Sequence, residues 1–197
     1  MHRLRLFGTV FLALILLATA GCSPAAEPGD RLTTLVVYYS SNEDGISELA
    51  REAAKAARCQ MFEIQPEKEY AALLDKLNSS EELSMEELED LYSTDFKLKQ
   101  PVPDNWSEYD RIILGCPIWL GGAATPVKLF LDENNLDDKT FYPFTIGTLD
   151  ETETLSTQLS LDNWRTGFAE AESFEKGASP ETVAQWVDSL NSEKPLP

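Results

Sequence analysis

The hydrophobic positions of this chain form short continuous runs that alternate with segments of helical period. Residues 34–39 and 112–114 are unbroken runs of β-branched, aromatic or apolar residues, which are typical of parallel strands covered on both faces, and the second run predicts a strand at 111–115. Similar runs predict strands at 59–64 and 141–146, and a weak last strand is predicted at 163–168. Because strands and helices alternate, the pattern predicts an α/β domain with a doubly wound parallel sheet.

Helical periodicity predicts four main helices and an acidic insertion. The main helices are expected at 46–57, 125–131, 151–161 and from 180 onward. The pairs Thr125-Pro126 and Ser179-Pro180 are helix-start signals, since proline is favoured in the first helical turn. The insertion, 66–95, is expected to hold two short helices around 70–77 and 80–92 and to present carboxylates to solvent.

The stretch from Arg111 to Leu131 combines a buried strand, a glycine-broken loop and a helix. The loop, residues 116–124, is expected to lie at the carboxyl end of its strand, where open α/β sheets bind their ligands. It carries apolar side chains and an exposed-looking aromatic, Trp119. This composition indicates a site that accepts a small apolar ring.

A second candidate loop follows the first strand. Residues 40–45 form a polar turn that leads directly into the helix at 46–57. Backbone N–H groups at a helix start, together with short hydroxyl side chains, can bind an anion. The order strand, polar loop and helix therefore indicates a phosphate cradle.

The first 22 residues have the pattern of an export signal. A basic head with Arg3 and Arg5 precedes an apolar stretch and a small-residue exit at Cys22. The exit resembles the bacterial lipoprotein signal, whose cysteine becomes the lipidated first residue, and an ordinary secretory peptide is the alternative. We therefore expect anchoring to the outer face of the cytoplasmic membrane through Cys22. The expected organisation is a signal at 1–22, a tether at 23–32, the folded domain at 33–191 and a tail at 192–197.

Charge and residue content exclude several classes of chemistry. Without Arg3 and Arg5 the chain has 14 basic and 34 acidic residues, a formal charge of -20, which argues against nucleic acid as a partner. A basic partner protein is the natural expectation, although acidity can also serve only solubility. The only histidine is His2, so histidine-based catalysis and histidine-ligated metals are excluded from the mature chain.

The two cysteines of the predicted domain are interpreted as buried hydrophobes. Cys59 precedes one parallel strand and Cys116 follows another, so they are expected at opposite ends of the sheet. A disulfide between them is therefore not expected.

Three motifs together resemble the flavodoxin family over nearly all of residues 33–191. They are VVYYSSNEDGISELA from Val36, YDRIILGCPIWLGGAATPVKLFL from Tyr109 and FEKGASPETVAQWVDSL from Phe174. The resemblance implies a five-stranded parallel sheet in the order 2-1-3-4-5 with helices on both faces. It also implies that FMN lies across the carboxyl ends of the first, third and fourth strands.

The resemblance implies cofactor-binding residues in three loops. They are Ser40, Ser41, Asn42, Gly45, Ile46 and Ser47 around the phosphate, Pro117, Ile118, Trp119, Leu120 and Gly121 beside the flavin ring, and Thr145, Ile146, Gly147 and Thr148 in the third loop. The first loop departs from the family pattern in carrying Glu43 and Asp44. A carboxylate about 4 Å from a phosphate charge costs roughly 4 kcal/mol at an effective dielectric near 20. Both acids are therefore expected to point outward if FMN binds.

The function implied by this resemblance is that of an FMN-binding electron carrier tethered outside the cytoplasmic membrane. Such a carrier needs no catalytic side chain and no metal ligand, because the flavin performs the redox chemistry. The alternative is a flavodoxin-fold module without flavin, which would serve as a binding or structural domain. An FMN-dependent reductase has less support, since no second nucleotide motif is present in the sequence.

Overall fold

The computed structural model describes residues 33–41, 44–67, 76, 82–92 and 97–191. The predicted signal, tether and tail lie outside these residues, and so do Asn42 and Glu43. The helix predicted around 70–77 also lies outside them, apart from residue 76. No helix within the described ranges is both long and apolar enough to cross a membrane.

The order of elements confirms the alternating pattern. In chain order they are β1 (Thr34–Tyr38), α1 (Ile46–Ala57), β2 (Gln60–Glu63), α2 (Met85–Tyr92), β3 (Arg111–Gly115), β4 (Ile118–Trp119), β5 (Gly122–Ala123), α3 (Thr125–Glu133), β6 (Thr140–Ile146), α4 (Leu149–Asp162), β7 (Gly167–Phe168), β8 (Glu172–Phe174) and α5 (Pro180–Leu190). The predicted helix starts at Thr125 and Pro180 are correct. In the second of these, the Ser179 hydroxyl accepts a hydrogen bond from the Thr182 N–H.

The main sheet has the order β2-β1-β3-β6-β7, with β8 also paired to β6. All of its pairings are parallel, including Val36 opposite Ile113 and Ile113 opposite Tyr142. The predicted order 2-1-3-4-5 is therefore confirmed, with β6 as the fourth strand. The fifth position is shared by the two short segments β7 and β8.

The prediction of a last strand at 163–168 is wrong in position. Residues 163–166 lie outside any strand, β7 pairs with the beginning of β6, and β8 pairs with its end. The ring of Phe168 stacks on Phe141 at 4.6 Å between centroids, which holds β7 against the sheet. The edge strand therefore depends on these contacts with β6 more than on a local apolar run.

The core lies on both faces of the sheet because successive side chains of each strand alternate. Leu35 and Val37 face one layer together with Phe130 of α3 and Leu155 of α4. The opposite layer packs Val36 and Ile113 against α1 and α5, including Leu49, Ala53, Val183 and Val187. Helices therefore cover both faces of the sheet, as predicted, and the loops at the ends of the strands remain accessible.

A buried arginine joins the central strand to the last helix. The Arg111 guanidinium donates hydrogen bonds to the Asn191 side-chain oxygen at 2.8 Å and to the Leu190 carbonyl at 3.2 Å. These acceptors lie at the C-terminus of α5, where the helix dipole favours a positive charge. The contact anchors α5 at the end of the sheet remote from the predicted ligand loops.

Candidate functional site

The predicted ligand loops meet at one edge of the sheet. They follow β1, β3 and β6, which are adjacent parallel strands, so their carboxyl ends point the same way. A β-carbon built on Gly45 of the first loop would lie 2.9 Å from Cδ1 of Ile146. One built on Gly147 of the third loop would lie 3.1 Å from Cδ1 of Ile118 in the second. The three loops are therefore in direct contact, and glycine permits both close approaches.

The first loop encloses a carboxylate from its own sequence. Asp44 Oδ1 accepts hydrogen bonds from the Ser40 hydroxyl at 2.6 Å and from the Ile46 N–H at 2.9 Å. Its Oδ2 accepts from the Ser41 N–H at 2.7 Å and from the Ser41 hydroxyl at 3.1 Å. The donors that the sequence assigns to a phosphate thus surround the carboxylate of Asp44. Asp44 thus points into the loop in this structure, whereas the expectation that it points outward applies to the FMN-bound protein and stays a prediction. Glu43 lies outside the described residues.

The remaining predicted residues of this loop differ in their roles. Gly45 has a φ of 88° and precedes α1, a conformation that glycine adopts without strain. Ile46 is the first residue of α1 and is buried in the core. The Ser47 hydroxyl donates to the neighbouring Glu48 carboxylate at 3.1 Å and so does not join the donors around Asp44.

The second loop is a small hairpin, which the sequence did not predict. β4 and β5 pair antiparallel, and Leu120 and Gly121 at the turn have φ angles of 49° and 81°. Two successive residues with positive φ are typical of a tight hairpin turn. At the base of the hairpin, the Ala124 N–H donates to the Pro117 carbonyl at 3.0 Å.

Within this hairpin the aromatic side chain is buried and the aliphatic side chain at the tip is exposed. Trp119 is only 7% exposed and meets Tyr39 edge to face, with ring centroids 5.5 Å apart. The expectation of an exposed aromatic at this position is therefore wrong, because the ring packs into the core. Leu120 is 45% exposed at the tip. Leu120 is thus the more accessible apolar group of the hairpin.

The third loop begins α4 with a capping box. The Glu151 N–H donates to the Thr148 hydroxyl oxygen at 3.3 Å, and the Thr148 N–H donates to the Glu151 carboxylate at 2.9 Å. These hydrogen bonds from Thr148 lower the pKa of Glu151, so its carboxylate is negatively charged beside the loop at neutral pH. Thr145 is fully buried beneath the edge, and its hydroxyl has no hydrogen-bond partner among the described residues.

A cavity of about 610 Å³ adjoins the third loop. It is lined by Ile146, Gly147, Thr148, Leu149 and Glu151, and by residues 173–176 at the end of β8 and just after it. Cγ of Lys176 lies 3.5 Å from the position of a β-carbon on Gly45, so this lysine stem also borders the first loop. Sequence reasoning missed Lys176 because it placed the last strand too early. The FEKG segment, which resembles the end of the family pattern, was the available signal.

The thiols at and near the site are poor nucleophiles. Both cysteines of the described chain, Cys59 and Cys116, are free, which agrees with the expectation that they do not pair. Burial raises the pKa of the Cys116 thiol to about 12, so it is not a thiolate at neutral pH. In the described part of the chain, no cluster of three or more His, Cys, Asp or Glu side chains is placed to hold a metal ion.

The structure therefore assembles most of the predicted site and rearranges part of it. Ser40, Ser41, Gly45, Ile118, Leu120, Ile146, Gly147 and Thr148 share one edge of the sheet. Ser47 and Trp119 make other contacts, as described above, and Thr145 is buried beneath the edge. Asn42 lies outside the described residues.

Comparison with known proteins places this arrangement in context. The family model described as flavodoxin matches residues 33–190. A search of curated proteins finds no match. Among solved structures, a protein from Bacteroides uniformis that is named as a flavoprotein shares 26% identity with a TM-score of 0.67, over 80% of this chain and 98% of its own.

Two further solved structures share the fold. A protein from Bacteroides eggerthii, also named as a flavoprotein, has 20% identity and a TM-score of 0.68, over 83% of this chain and 100% of its own. A flavoprotein from Lactobacillus acidophilus in complex with FMN has 16% identity and a TM-score of 0.53, over 73% and 93% of the two chains. At these identities the likeness shows the fold alone.

Proposed function

Because this chain belongs to the flavodoxin family, we propose that it binds FMN and acts as an electron-transfer protein. The observation that carries the proposal is the contact among the loops after β1, β3 and β6, with Gly45 against Ile146 and Gly147 against Ile118. Ligands of open α/β sheets bind at such an edge. The similarly folded flavoprotein from Lactobacillus acidophilus that was crystallised with FMN supports the choice of cofactor.

The donor chemistry of the first loop fits the phosphate of FMN. Two serine hydroxyls and the N–H groups of Ser41 and Ile46 converge on one oxyanion, at the start of a 12-residue helix. In this structure the oxyanion is the Asp44 carboxylate. The same donors would hold a phosphate once that carboxylate leaves.

Apolar groups from the other two loops fit the flavin ring. Ile118, Leu120 and Ile146 border the edge, and Trp119 supports the hairpin from below through its contact with Tyr39. When bound, FMN supplies the one-electron and two-electron chemistry itself. The protein then has to hold the ring, orient it and limit its contact with water, which explains how a chain without a mature histidine could serve as an electron carrier.

The proposed carrier has a low reduction potential. The carboxylate of Glu151, which lies beside the third loop, disfavours the addition of negative charge to a bound flavin. We therefore expect bound FMN to have a lower reduction potential than free FMN. Potentiometric titration of the FMN-loaded protein tests this expectation, and a potential above that of free FMN would contradict it.

We also propose that the chain is exported and tethered outside the cytoplasmic membrane through a lipidated Cys22, and that its acidic surface meets a basic redox partner. The proposal rests on the signal pattern of residues 1–22 and on the formal charge of the chain, -18. The test is cell fractionation with mass spectrometry of the N-terminal peptide, comparing the parent chain with Cys22→Ser. A soluble, unmodified parent chain would contradict the tether.

Flavin binding itself is tested by titrating the purified full-length chain with FMN and following the quenching of flavin fluorescence. We expect Leu120→Ala to weaken binding by roughly threefold to tenfold, since part of a leucine side chain covers the ring. Leu120 is a better position than Trp119 for this binding test, because truncating a buried tryptophan would also destabilise the fold. Leu161→Ala is the matched control, since Leu161 is 70% exposed on α4.

A second candidate function follows from the Asp44 contacts. A carboxylate that fills the phosphate position permanently would leave a flavodoxin-fold module without flavin, serving as a binding or structural domain. Absence of FMN binding by the parent chain and by variants without the Asp44 carboxylate would favour this alternative.

A further inference from the structure

The Asp44 carboxylate accepts hydrogen bonds from both sides of its loop. Each of its two oxygens accepts two hydrogen bonds, at distances between 2.6 and 3.1 Å. The donors come from Ser40 and Ser41 at the end of β1 and from Ile46 at the start of α1. Ser40, Ser41 and Ile46 therefore converge on an anion that comes from the chain itself.

A second anion cannot use this position at the same time. Hydrogen bonds to an ionised acceptor are among the stronger ones in proteins, and a phosphate would need the same N–H and O–H groups. Two anions about 4 Å apart also repel each other at the edge of a protein. The carboxylate of Asp44 and a phosphate are therefore mutually exclusive occupants of the loop.

We propose that Asp44 is an internal competitor for the phosphate of FMN, so that this site distinguishes poorly between FMN and riboflavin, which lacks the phosphate. The inference rests on the proposed flavin-binding function and concerns the selectivity of the same site. In the flavin-bound protein, the phosphate enters only when the Asp44 side chain rotates away from Ser40, Ser41 and Ile46. The competition cancels most of the affinity that these donors would otherwise add.

A purely structural role for Asp44 predicts the opposite result. If the carboxylate only held the loop in a shape suited to phosphate, its removal would loosen the loop and weaken FMN binding. If it competes with phosphate, its removal strengthens FMN binding and leaves riboflavin binding almost unchanged. The direction of the change in FMN affinity therefore separates the two roles.

The experiment compares the dissociation constants of FMN and riboflavin for the full-length chain and its Asp44→Asn and Asp44→Ala variants, by quenching of flavin fluorescence. Asn removes the charge but keeps the size, and its amide nitrogen would face the Ser41 N–H donor. Ala removes the competitor entirely. Glu48→Gln is the matched control, since it removes an exposed carboxylate from the first turn of α1 that accepts a hydrogen bond from Ser47.

We expect the parent chain to bind the two flavins within roughly threefold of each other. Asp44→Ala should bind FMN at least about tenfold more tightly, with riboflavin changed by less than about threefold, and Asp44→Asn should lie between. The Glu48→Gln control should leave the ratio of the two constants within about twofold of the parent. Weaker FMN binding by both Asp44 variants, or a strong preference for FMN in the parent chain, would overturn the proposal.

A flavin-free measurement keeps this test independent of the proposed function. Inorganic phosphate should shift the amide NMR signals of Ser41 and Ile46 in Asp44→Ala but not in the parent chain. Those shifts without flavin binding by any variant would support the competitor role and contradict the flavin-binding function. Flavin binding with no phosphate response in Asp44→Ala would overturn the competitor role and leave the function intact.

Discussion

At the scale of the residue, both the backbone conformation and the close packing at Gly45 disfavour any residue other than glycine. Its φ of 88° lies in the left-handed region, and a β-carbon there would meet Ile146 at 2.9 Å. Gly177 has a similar φ of 79° but has no heavy atom within 4 Å of the same position. Substitutions at these two glycines therefore separate the free-energy cost of a strained φ from that of a close side-chain contact.

We predict that Gly45→Ala lowers the free energy of unfolding by about 2–4 kcal/mol, because a strained φ and a close contact add together. Gly177→Ala carries only the strained φ and should lose about 1–2 kcal/mol. Urea unfolding followed by circular dichroism measures both values. Equal losses would mean that the contact between the first and third loops is absent in solution.

The carboxylate of Glu172 on β8 should also make the free energy of unfolding depend on pH. Partial burial raises the pKa of Glu172 above its ordinary value of 4.5, so the folded state disfavours its charged form. Below the ordinary value the group is protonated in both states and has no differential effect. As pH rises through the raised pKa, the folded state becomes less stable relative to the unfolded state.

We therefore predict that Glu172→Gln raises the free energy of unfolding at pH 7 relative to the parent chain, and that this advantage disappears by about pH 4. Glu170→Gln is the control, because Glu170 is an exposed carboxylate two residues earlier. Denaturant unfolding at a series of pH values provides the measurement. A gain that is the same at pH 4 and pH 7 would exclude ionisation of Glu172 as its cause.

At the scale of the element, α4 shows how a loop residue can serve both a helix and a site. The capping box of Thr148 and Glu151 satisfies N–H groups at the start of α4, and Thr148 also lines the cavity beside the first loop. The hydroxyl of Thr154, by contrast, donates to the Asp150 carbonyl within the helix, at an exposed position. Removing these two hydroxyls should therefore have different effects on stability.

We predict that Thr148→Ala lowers the free energy of unfolding by about 1 kcal/mol, because the first turn of α4 loses its cap. The control Thr154→Ala should change the free energy by less than about 0.5 kcal/mol. Both values come from denaturant unfolding curves. Similar effects for the two variants would show that the capping box does not stabilise α4.

At the scale of the whole molecule, the candidate site is the open end of a sheet whose two faces are closed by helices. The loops of this end come from three separate strands, so a ligand bound there would join parts of the chain more than 100 residues apart, as Ser40 and Thr148 are. A ligand that binds the folded state and not the unfolded state stabilises the whole molecule. Thermal unfolding therefore reports on the proposed flavin binding without any redox measurement.

We predict that FMN at about 100 times its dissociation constant stabilises the chain by about 2.7 kcal/mol. For a domain of this size the midpoint of thermal unfolding should rise by roughly 5–10 °C. Scanning calorimetry at increasing FMN concentrations measures the rise, with adenosine monophosphate as a phosphate-bearing control that lacks the flavin ring. A midpoint that does not depend on FMN would contradict flavin binding.

The pattern along the sequence by itself determined the strand and helix order, the parallel sheet and two of the ligand loops, whereas the third loop and the strand order 2-1-3-4-5 followed from the family resemblance. These features depend on local hydrophobic period, on proline and serine at helix starts, and on glycine at turns, all of which are visible in the chain. The strands at 34–38 and 111–115 and the helices from 125 and 180 follow from such signals. Loops that follow these strands then lie at one edge of the sheet, because parallel strands direct their carboxyl ends the same way.

Tertiary structure alone decided three further features, of which sequence reasoning placed two, the edge strand and Trp119, wrongly. The edge strand settles at β7 and β8 because Phe168 stacks on Phe141 and β8 pairs with the end of β6. Trp119 is buried because Tyr39, from a distant loop, offers an edge-to-face contact. Asp44 turns inward because hydroxyl and N–H donors from both ends of its loop converge on it. Each outcome depends on partners brought together by folding, which a local pattern along the chain does not encode.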